Sequence, residues 1–274
     1  MNLNVHAAIS AFIRTVLLFF FTAGSVYAQF SIGAAQVAMG HTGTAIKNSY
    51  WAVFNNPAWV STEKTALSFF AHRFTGIPEL TDIAISFSTP LPFGTAGAGI
   101  HRFGYDLYSE QQISLAYKQE LDAVHTAILL SYHHISIGGG YGSAGAPGIL
   151  LGIGIELSQK LHVGIRTDYL NRPTIGNSGE RISHATSAGF RYSVSETAYI
   201  TGDIVKDPDF PVSGRAGFEL LLGNTLYLRS GVTARPSTYS FGFGYAPSAL
   251  IVNLGIQQND LLGLSAAMDI TIHM

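Results

Sequence analysis

Apolar residues alternate with small or polar residues along most of the chain, from residue 64 to residue 274. In residues 149–157, five branched side chains share one face, while Gly152, Gly154 and Glu156 lie on the other. In residues 239–245, tyrosine and phenylalanine alternate with serine and glycine. A period of two residues predicts β-strands rather than helices.

The composition of the two faces indicates where the strands lie. A soluble sheet places many lysine and glutamate side chains on its water-facing side. Here the second face carries mainly Gly, Ser and Thr with isolated charges, and the first is branched or aromatic almost throughout. This pattern is typical of a transmembrane barrel that has lipid outside and a polar lumen. We therefore predict an all-β fold, a closed antiparallel barrel.

The alternating segments number about fourteen, and single-chain bacterial barrels have an even number of strands. Most of the segments are as long as the ~9–11 residues that a transmembrane strand needs. Twelve strands is the alternative count. The predicted strands are residues 64–74, 81–89, 94–104, 108–118, 123–138, 147–158, 161–171, 182–193, 196–205, 211–222, 225–235, 237–246, 249–257 and 261–273.

The predicted connections alternate in length. Residues 158–160, 193–195, 223–224 and 246–248 form tight turns, whereas residues 138–147, 171–181 and 206–211 form longer loops. Outer-membrane barrels have short periplasmic turns and longer external loops. The pattern therefore predicts that both termini of the barrel lie on the periplasmic side.

The first 28 residues have the parts of a secretory signal peptide. Arg14 precedes a short apolar run over residues 16–21, and Ala28 provides a small residue before the expected cleavage site. The run is too short for a membrane anchor. A buried N-terminal helix is the alternative. We predict a signal peptide over residues 1–28, an N-terminal hatch over residues 29–63 and a barrel over residues 64–274, in the outer membrane of a Gram-negative bacterium.

Residues 33–61 do not alternate, and they contain large apolar side chains that need burial. Trp51, Phe54 and Trp59 lie within nine residues of one another, which argues against a disordered leader. Asn48 or Ser49 is suited to cap a short helix, and Pro57 bars that helix from continuing. The space available for the aromatic side chains is the lumen, so the segment is predicted to plug the barrel.

The hatch sequence also resembles that of a known superfamily. The matching residues are Met39, Gly40 and Gly43, followed by Asn56, Pro57 and Ala58. This pattern is similar to the N-terminal hatch of the FadL-like outer-membrane barrels, with the PorV/PorQ branch of type IX secretion as the nearest group. The resemblance implies either a protein-secretion accessory or scaffold, or a channel for hydrophobic small molecules.

Nine charged residues on the predicted strands fall on the face opposite the apolar series. An arginine or lysine at mid-depth on the lipid side costs ~2–4 kcal/mol, so these charges are assigned to the lumen. Four are arginines and five are acids, which favours ion pairs that hold the barrel and hatch together over an ion-selective field. They are Glu156, Arg166, Asp168, Arg191, Asp203, Arg215, Glu219, Arg229 and Asp269.

Composition and motifs exclude several function classes. The 274 residues include no cysteine and only 12% charged residues, with a formal net charge of −2, which gives no reason to expect nucleic acid as a partner. Residues 140–145 match G-x-G-x-x-G, but a strand follows where the dinucleotide motif requires a helix. We therefore interpret them as an outer loop. No motif predicts an enzyme, a cofactor or a metal site.

Two functions from different classes remain open, and the first is favoured because the hatch pattern is nearer to that branch and the predicted lumen is ionic. The first is a PorV/PorQ-like secretion accessory, whose partners would be secretion-system proteins besides outer-membrane lipid. The second is a FadL-like channel, whose partners would be hydrophobic small molecules. Gly94, Gly97 and Gly99 leave the third strand without large side chains, and glycine weakens a strand. In FadL-like barrels this strand carries a side exit, so the resemblance implies a lateral opening there. The alternative is that these glycines make room for hatch side chains.

Overall fold

The structure is a computed structural model that describes residues 31–140, 142–176, 181–260 and 262–274. Within these ranges, fourteen strands follow one another along the chain. They are β1 (Ala66–Phe74), β2 (Ile77–Leu91), β3 (Gly94–Gly104), β4 (Tyr108–Leu121), β5 (Val124–Ile137), β6 (Gly142–Glu156), β7 (Leu161–Thr167), β8 (Thr186–Ser193), β9 (Ala198–Lys206), β10 (Ser213–Leu222), β11 (Leu226–Ala234), β12 (Ser237–Tyr245), β13 (Leu250–Asn259) and β14 (Gly263–His273).

The strands form one closed antiparallel barrel. Each strand pairs with its neighbours in sequence, and β1 pairs with β14 to complete the wall. The predicted fold class and the count of fourteen are therefore confirmed. The start of β1 and the end of β14 meet at one rim, where the Met274 N–H donates to the Thr65 carbonyl at 2.8 Å. We call this rim the terminal end and the opposite rim the loop end.

The outward face of the wall is a continuous apolar belt. Large hydrophobic side chains on it are exposed, as at Leu115 (62%) and Phe241 (66%), while their strand neighbours on the inner face are small or polar. In a closed barrel every central backbone group is paired within the wall, which suits strands surrounded by lipid. None of the helices in the described part of the chain has the length and apolar character to cross a membrane.

Residues 31–65 fill the interior. They form two short helices, α1 (Ala34–Ala38) and α2 (Ala52–Asn55), and a 3-10 turn (Pro57–Trp59). The hydroxyl of Ser49 accepts from the Trp51 N–H at 3.3 Å, just before α2, and α2 ends two residues before Pro57. Helices this short are not stable alone, so the surrounding wall holds them in place. The predicted signal peptide, residues 1–28, lies outside the described residues.

The predicted long loop at residues 138–147 is wrong. β5 continues to Ile137 and β6 begins at Gly142, and these two residues are partners in the ladder. Pro147 is tolerated in β6 because β7 pairs with β6 only from Leu151 onwards, so nothing on that side needs the missing N–H. The G-x-G-x-x-G match is therefore part of a hairpin. The longest connection is residues 168–185, between β7 and β8.

Candidate functional site in the plugged lumen

The hatch lies against a wall whose inward positions are often glycine. A Cβ atom at Gly231 would lie 2.1 Å from the carbonyl carbon of Met39, and one at Gly164 would lie 1.9 Å from the Thr44 oxygen. Both neighbours are backbone atoms, so only glycine permits this close approach. The same crowding against hatch atoms occurs at Gly152, Gly154, Gly217, Gly242 and Gly255. Lumen glycines thus form the surface on which the hatch is seated.

The first half of the hatch motif makes the closest approach. Gly40 has a φ of +66°, and a Cβ there would lie 2.6 Å from the backbone nitrogen of Val232. Its carbonyl accepts from the Thr233 hydroxyl at 2.8 Å. Met39 is buried, and its sulfur accepts a hydrogen bond from the Tyr199 hydroxyl at 3.5 Å. Gly43 packs on Asn55, where a Cβ would approach the Asn55 Cβ to 3.0 Å.

The second half of the motif holds the two parts of the hatch together. The Asn56 side chain accepts from the Ala58 N–H at 3.2 Å, which caps the 3-10 turn that starts at Pro57. Its amide nitrogen donates to the Thr44 carbonyl at 2.7 Å. Asn56 is fully buried, so these bonds are shielded from water. The Asn56 side chain thus joins the second half of the motif to Thr44, the residue that follows Gly43.

Two buried wall carboxylates bind the hatch backbone. Asp203 accepts from the N–H groups of Gly43 and Thr44 at 2.8 and 3.0 Å and from the Thr44 hydroxyl at 2.8 Å. Asp269 accepts from the Ala34 N–H at 2.7 Å and from Asn253 at 2.7 Å. Bonds to an ionised acceptor are about twice as strong as neutral ones. These contacts clamp the hatch at both ends of α1.

Three of the four lumen arginines are also engaged. Arg166 pairs with Asp168 and donates to the carbonyls of Phe54 and Asn55. Arg215 donates to the His41 carbonyl at 2.9 Å, and Arg229 pairs with Glu219 at 2.6 Å. Arg166 and Arg215 therefore join the wall to the hatch, whereas Arg229 and Glu219 pair within the wall.

His41 belongs to the hatch and is buried next to β13. Its Nε2 lies 2.5 Å from the Gln257 oxygen, and its Nδ1 accepts from the Ser31 N–H at 3.2 Å. Burial, followed by the charge of Arg215, lowers the pKa of His41 to about 3. The imidazole is therefore neutral at physiological pH, and the hatch adds no charge at this point.

Trp59 is held between two histidines near the terminal end. Its ring centroid lies 4.8 Å from that of His125 and 5.6 Å from that of His162. The Glu156 carboxylate lies 2.7 Å from Nε2 of His125, and it forms an ion pair at 2.7 Å with Nζ of the hatch residue Lys47. Trp59 has no exposed surface, so this cluster closes the lumen beside the wall of β5, β6 and β7.

The loop end is covered by the segment between β7 and β8. Tyr169 is buried and lies on Gly148, where a Cβ would approach its ring to 2.6 Å. Ile182 packs against the apolar cluster that includes Phe54. The Asp168 N–H donates to the Ala185 carbonyl at 2.8 Å and closes the base of the segment. The described part of this segment therefore covers the hatch from the loop end.

Two of the β3 glycines, Gly97 and Gly99, are covered by hatch side chains. Every residue from Thr95 to Phe103 pairs with both β2 and β4 without a register shift. A Cβ at Gly97 would lie 2.7 Å from a Val53 methyl, and one at Gly99 would lie 2.5 Å from the Phe54 ring. The wall is closed here in this structure. The lateral opening at Gly94, Gly97 and Gly99 stays a prediction that requires another conformation.

Placing a methyl group at Gly99 should destabilise the barrel through Phe54. We expect Gly99→Ala to lower the free energy of unfolding by about 1–3 kcal/mol because of overpacking. Phe54→Ala should remove that penalty, so the double variant should be more stable than the sum of the two single effects predicts. Urea unfolding in detergent measures this, with Gly214→Ala as control because nothing lies within 4 Å of that position. Additive effects would mean that Gly99 does not serve to seat Phe54.

A cavity of about 270 Å³ remains beside the hatch. Tyr199, Tyr227 and Ile251 line it, and each is the second residue of its strand on the terminal side, so the cavity opens at the terminal end. Hatch residues Met39 and Ile46 form part of its wall. Two arginines border it, Arg191 4.1 Å above the Tyr199 ring and Arg229 4.9 Å from the Tyr227 ring.

The fold also brings together a polar network that no sequence motif predicted. His72 Nε2 lies 2.9 Å from the Ser265 hydroxyl, and His72 Nδ1 lies 3.5 Å from Asp82. These residue types form hydrolytic triads in some enzymes. Ser265 has no exposed surface, so its hydroxyl meets the wall rather than a substrate. Among the described residues, no group of three or more His, Asp or Glu side chains is arranged to hold a metal ion.

Fold and site together define a class of protein, the fourteen-stranded membrane β-barrel with an N-terminal plug in its lumen. The same fold occurs in CymD, a monoaromatic hydrocarbon channel, with a TM-score of 0.69 and 13% identity over 90% of this chain and 99% of that one. The toluene transporter TodX of Pseudomonas putida has a TM-score of 0.65 and 12% identity, over 90% of this chain and 98% of that one. A Pseudomonas aeruginosa FadL homologue has a TM-score of 0.61 and 11% identity, over 92% of this chain and 100% of that one.

At these identities the likeness shows only that the chain shares the fold of these three proteins. No protein-family model matches the sequence, and no curated protein matches it. The resemblance to the PorV/PorQ branch stays a prediction.

Proposed function

We propose that this protein is an outer-membrane channel for hydrophobic small molecules in a Gram-negative bacterium. The observation that carries the proposal is the shared fold with hydrocarbon channels, which extends over about nine-tenths of this chain. The apolar belt places the wall in lipid, where hydrophobic molecules concentrate. The proposed role of the hatch is to close the lumen to water and ions.

The proposed route for the cargo is a side exit at β3. The strand is closed in this structure, but three glycines weaken it, and the hatch side chains Val53 and Phe54 lie against Gly97 and Gly99 on its inner face. Withdrawal of Val53 and Phe54 would leave β3 without inner support.

A disulfide across β3 and β4 tests this route. A Cβ at Gly97 would lie 3.6 Å from that of Ala116, its ladder partner, and disulfides span Cβ distances of ≈ 3.5–4.5 Å. A Val53→Ala background removes the methyl that lies 2.7 Å from the new Cβ. The chain has no cysteine of its own, so the pair G97C and A116C is the only one that can form.

The readout is uptake of N-phenylnaphthylamine, an uncharged hydrophobe that fluoresces in membranes, by Gram-negative cells that express the protein. Expression should raise the uptake rate, oxidation of the double-cysteine variant should abolish the increase, and reduction should restore it. The two single-cysteine variants in the same background are the controls. An uptake rate that expression does not change would contradict the channel proposal, and an increase that survives oxidation would exclude a route between β3 and β4.

A secretion accessory or scaffold of PorV/PorQ type is the second candidate. The observation that favours it is closure, since in the described residues the β3 wall is unbroken and the hatch packs against the wall inside the lumen. A scaffold needs a stable barrel surface rather than a path. Affinity purification from the native membrane separates the two candidates, because co-purified secretion subunits support a scaffold and bound hydrophobic molecules support a channel.

A further inference from the structure

The cavity at the terminal end contains a positive charge that the protein does not neutralise. Arg229 is paired with Glu219 and donates to Asn253 at 2.8 Å, and Lys47 is paired with Glu156 at 2.7 Å. Arg191, by contrast, makes no hydrogen bond or ion pair with a described residue, and its Nε is shielded from solvent. Its contact in the site is the Tyr199 ring, 4.1 Å from the guanidinium carbon.

A guanidinium left unpaired in a half-buried place is costly. Elsewhere in the lumen, Arg166 is compensated by its pair with Asp168, and within the cavity Arg229 is compensated by Glu219. Of the charged side chains that line the cavity, Arg229 is paired with Glu219 and Lys47 with Glu156, so Arg191 leaves an excess of one positive charge. A ligand that carries one negative charge would balance this excess, and a planar carboxylate matches the geometry of a guanidinium.

The other walls restrict the body of the ligand. A volume of about 270 Å³ is below the ≈ 300–1,000 Å³ of sites for drug-sized ligands, so the space suits a molecule of about one substituted ring. Four aromatic side chains line it together with aliphatic groups from the hatch and from β13, and aromatic walls favour ring ligands in offset or edge contacts. The aromatic residues are Tyr50, Trp51, Tyr199 and Tyr227.

We propose that this cavity binds a single-ring aromatic carboxylate, with the carboxylate on Arg191 and the ring among the tyrosines and the hatch. The proposal rests on the proposed function in that it names the ligand class which this channel would take. It adds a charged headgroup to the hydrophobic cargo, and it places the bound molecule below the hatch, at the terminal end, where Met39 and Ile46 contact it. Bound ligand would thus touch the plug itself.

Equilibrium binding to the barrel in phospholipid nanodiscs tests the proposal without requiring transport. Fluorine NMR with 4-fluorobenzoate as probe should show saturable binding, and fluorobenzene and 6-fluorohexanoate serve as the uncharged ring and the ring-free carboxylate. Arg191→Gln should weaken 4-fluorobenzoate binding about tenfold or more, since a bond to a charged group is lost. Arg191→Lys should retain part of the affinity, because lysine keeps the charge but not the planar fork.

Arg73→Gln is the matched control, because Arg73 lies on the outer face of β1, between the inward residues His72 and Phe74. It should leave binding unchanged. No saturable binding of 4-fluorobenzoate, equal binding of fluorobenzene, or an unchanged affinity in Arg191→Gln would each overturn the proposal. Equal binding of 6-fluorohexanoate would overturn the aromatic class. A barrel that binds 4-fluorobenzoate but does not raise dye uptake would separate this site from the channel proposal.

Discussion

Replacing Gly231 with leucine is expected to expel the hatch from the lumen and to open an ion-conducting pore. A Cβ at this position would lie 2.1 Å from the Met39 carbonyl carbon and 2.2 Å from the Gly40 nitrogen. These are backbone atoms, and Gly40 itself packs against the backbone of Val232. A change of side-chain rotamer therefore cannot relieve the overlap. The hatch must move as a unit. Barrels much wider than eight strands leave an aqueous interior when nothing fills them, so the emptied lumen should conduct.

Single-channel recording in planar bilayers measures this effect. The wild type should remain near the background current, and Gly231→Leu should show discrete conductance steps like those of a variant that lacks residues 33–61. Gly214→Leu is the matched control on the neighbouring strand, because nothing lies within 4 Å of its added Cβ. If neither the deletion nor Gly231→Leu raises the conductance, the hatch is not the element that closes the barrel to ions.

The strand pattern could be predicted from the sequence because every strand has two chemically different faces. Segments such as residues 239–245 alternate between aromatic and small residues, and β12 occupies them as Ser237–Tyr245. The prediction of strands from this alternation was wrong where the outward residues are also small. Residues 142–147 contain Gly, Ser, Ala and Pro, so they look like a loop, yet β5 supplies a partner for each of them. Pairing between strands, rather than local preference, forms that part of β6.

The site was less predictable than the fold. Burial of Trp51 and Trp59 could be anticipated because large apolar side chains need a dry place. The glycines of the wall, however, have a meaning only through their partners, since Gly164 contacts Thr44 about 120 positions away in the chain. The same is true of Asp269, whose bond to Ala34 joins residues 235 positions apart. A pattern along one sequence shows which face is polar but not which group lies opposite.

Removing the carboxylate of Asp203 is expected to loosen the hatch while leaving the wall intact. Its Oδ2 atom accepts three hydrogen bonds from Gly43 and Thr44, and Gly189 provides the space for it, since a Cβ there would lie 2.0 Å from Oδ1. Asp203→Ala leaves three buried donors without an acceptor, and each such donor costs about 1–3 kcal/mol. Arg215, whose charge interacts with that of Asp203, also loses a favourable neighbour. The expected loss in hatch stability is therefore about 3 kcal/mol or more.

Variants that remove only part of this interaction should reduce hatch stability in proportion to the hydrogen bonds they lose. Asp203→Asn keeps an acceptor oxygen but not the charge, and neutral bonds are roughly half as strong, so its effect should be intermediate. Thr44→Val removes only the hydroxyl bond and should cost about 1 kcal/mol. Hydrogen exchange at the amides of residues 40–46, followed by mass spectrometry, reads the opening of the hatch directly, while exchange in β9 and β10 reports on the wall. Faster exchange in the hatch alone, largest for Asp203→Ala and smallest for Thr44→Val, is the expected result. Equal acceleration in the hatch and in β9 and β10 would mean that Asp203 stabilises the barrel as a whole, and the hatch would then owe its position to the glycine wall instead.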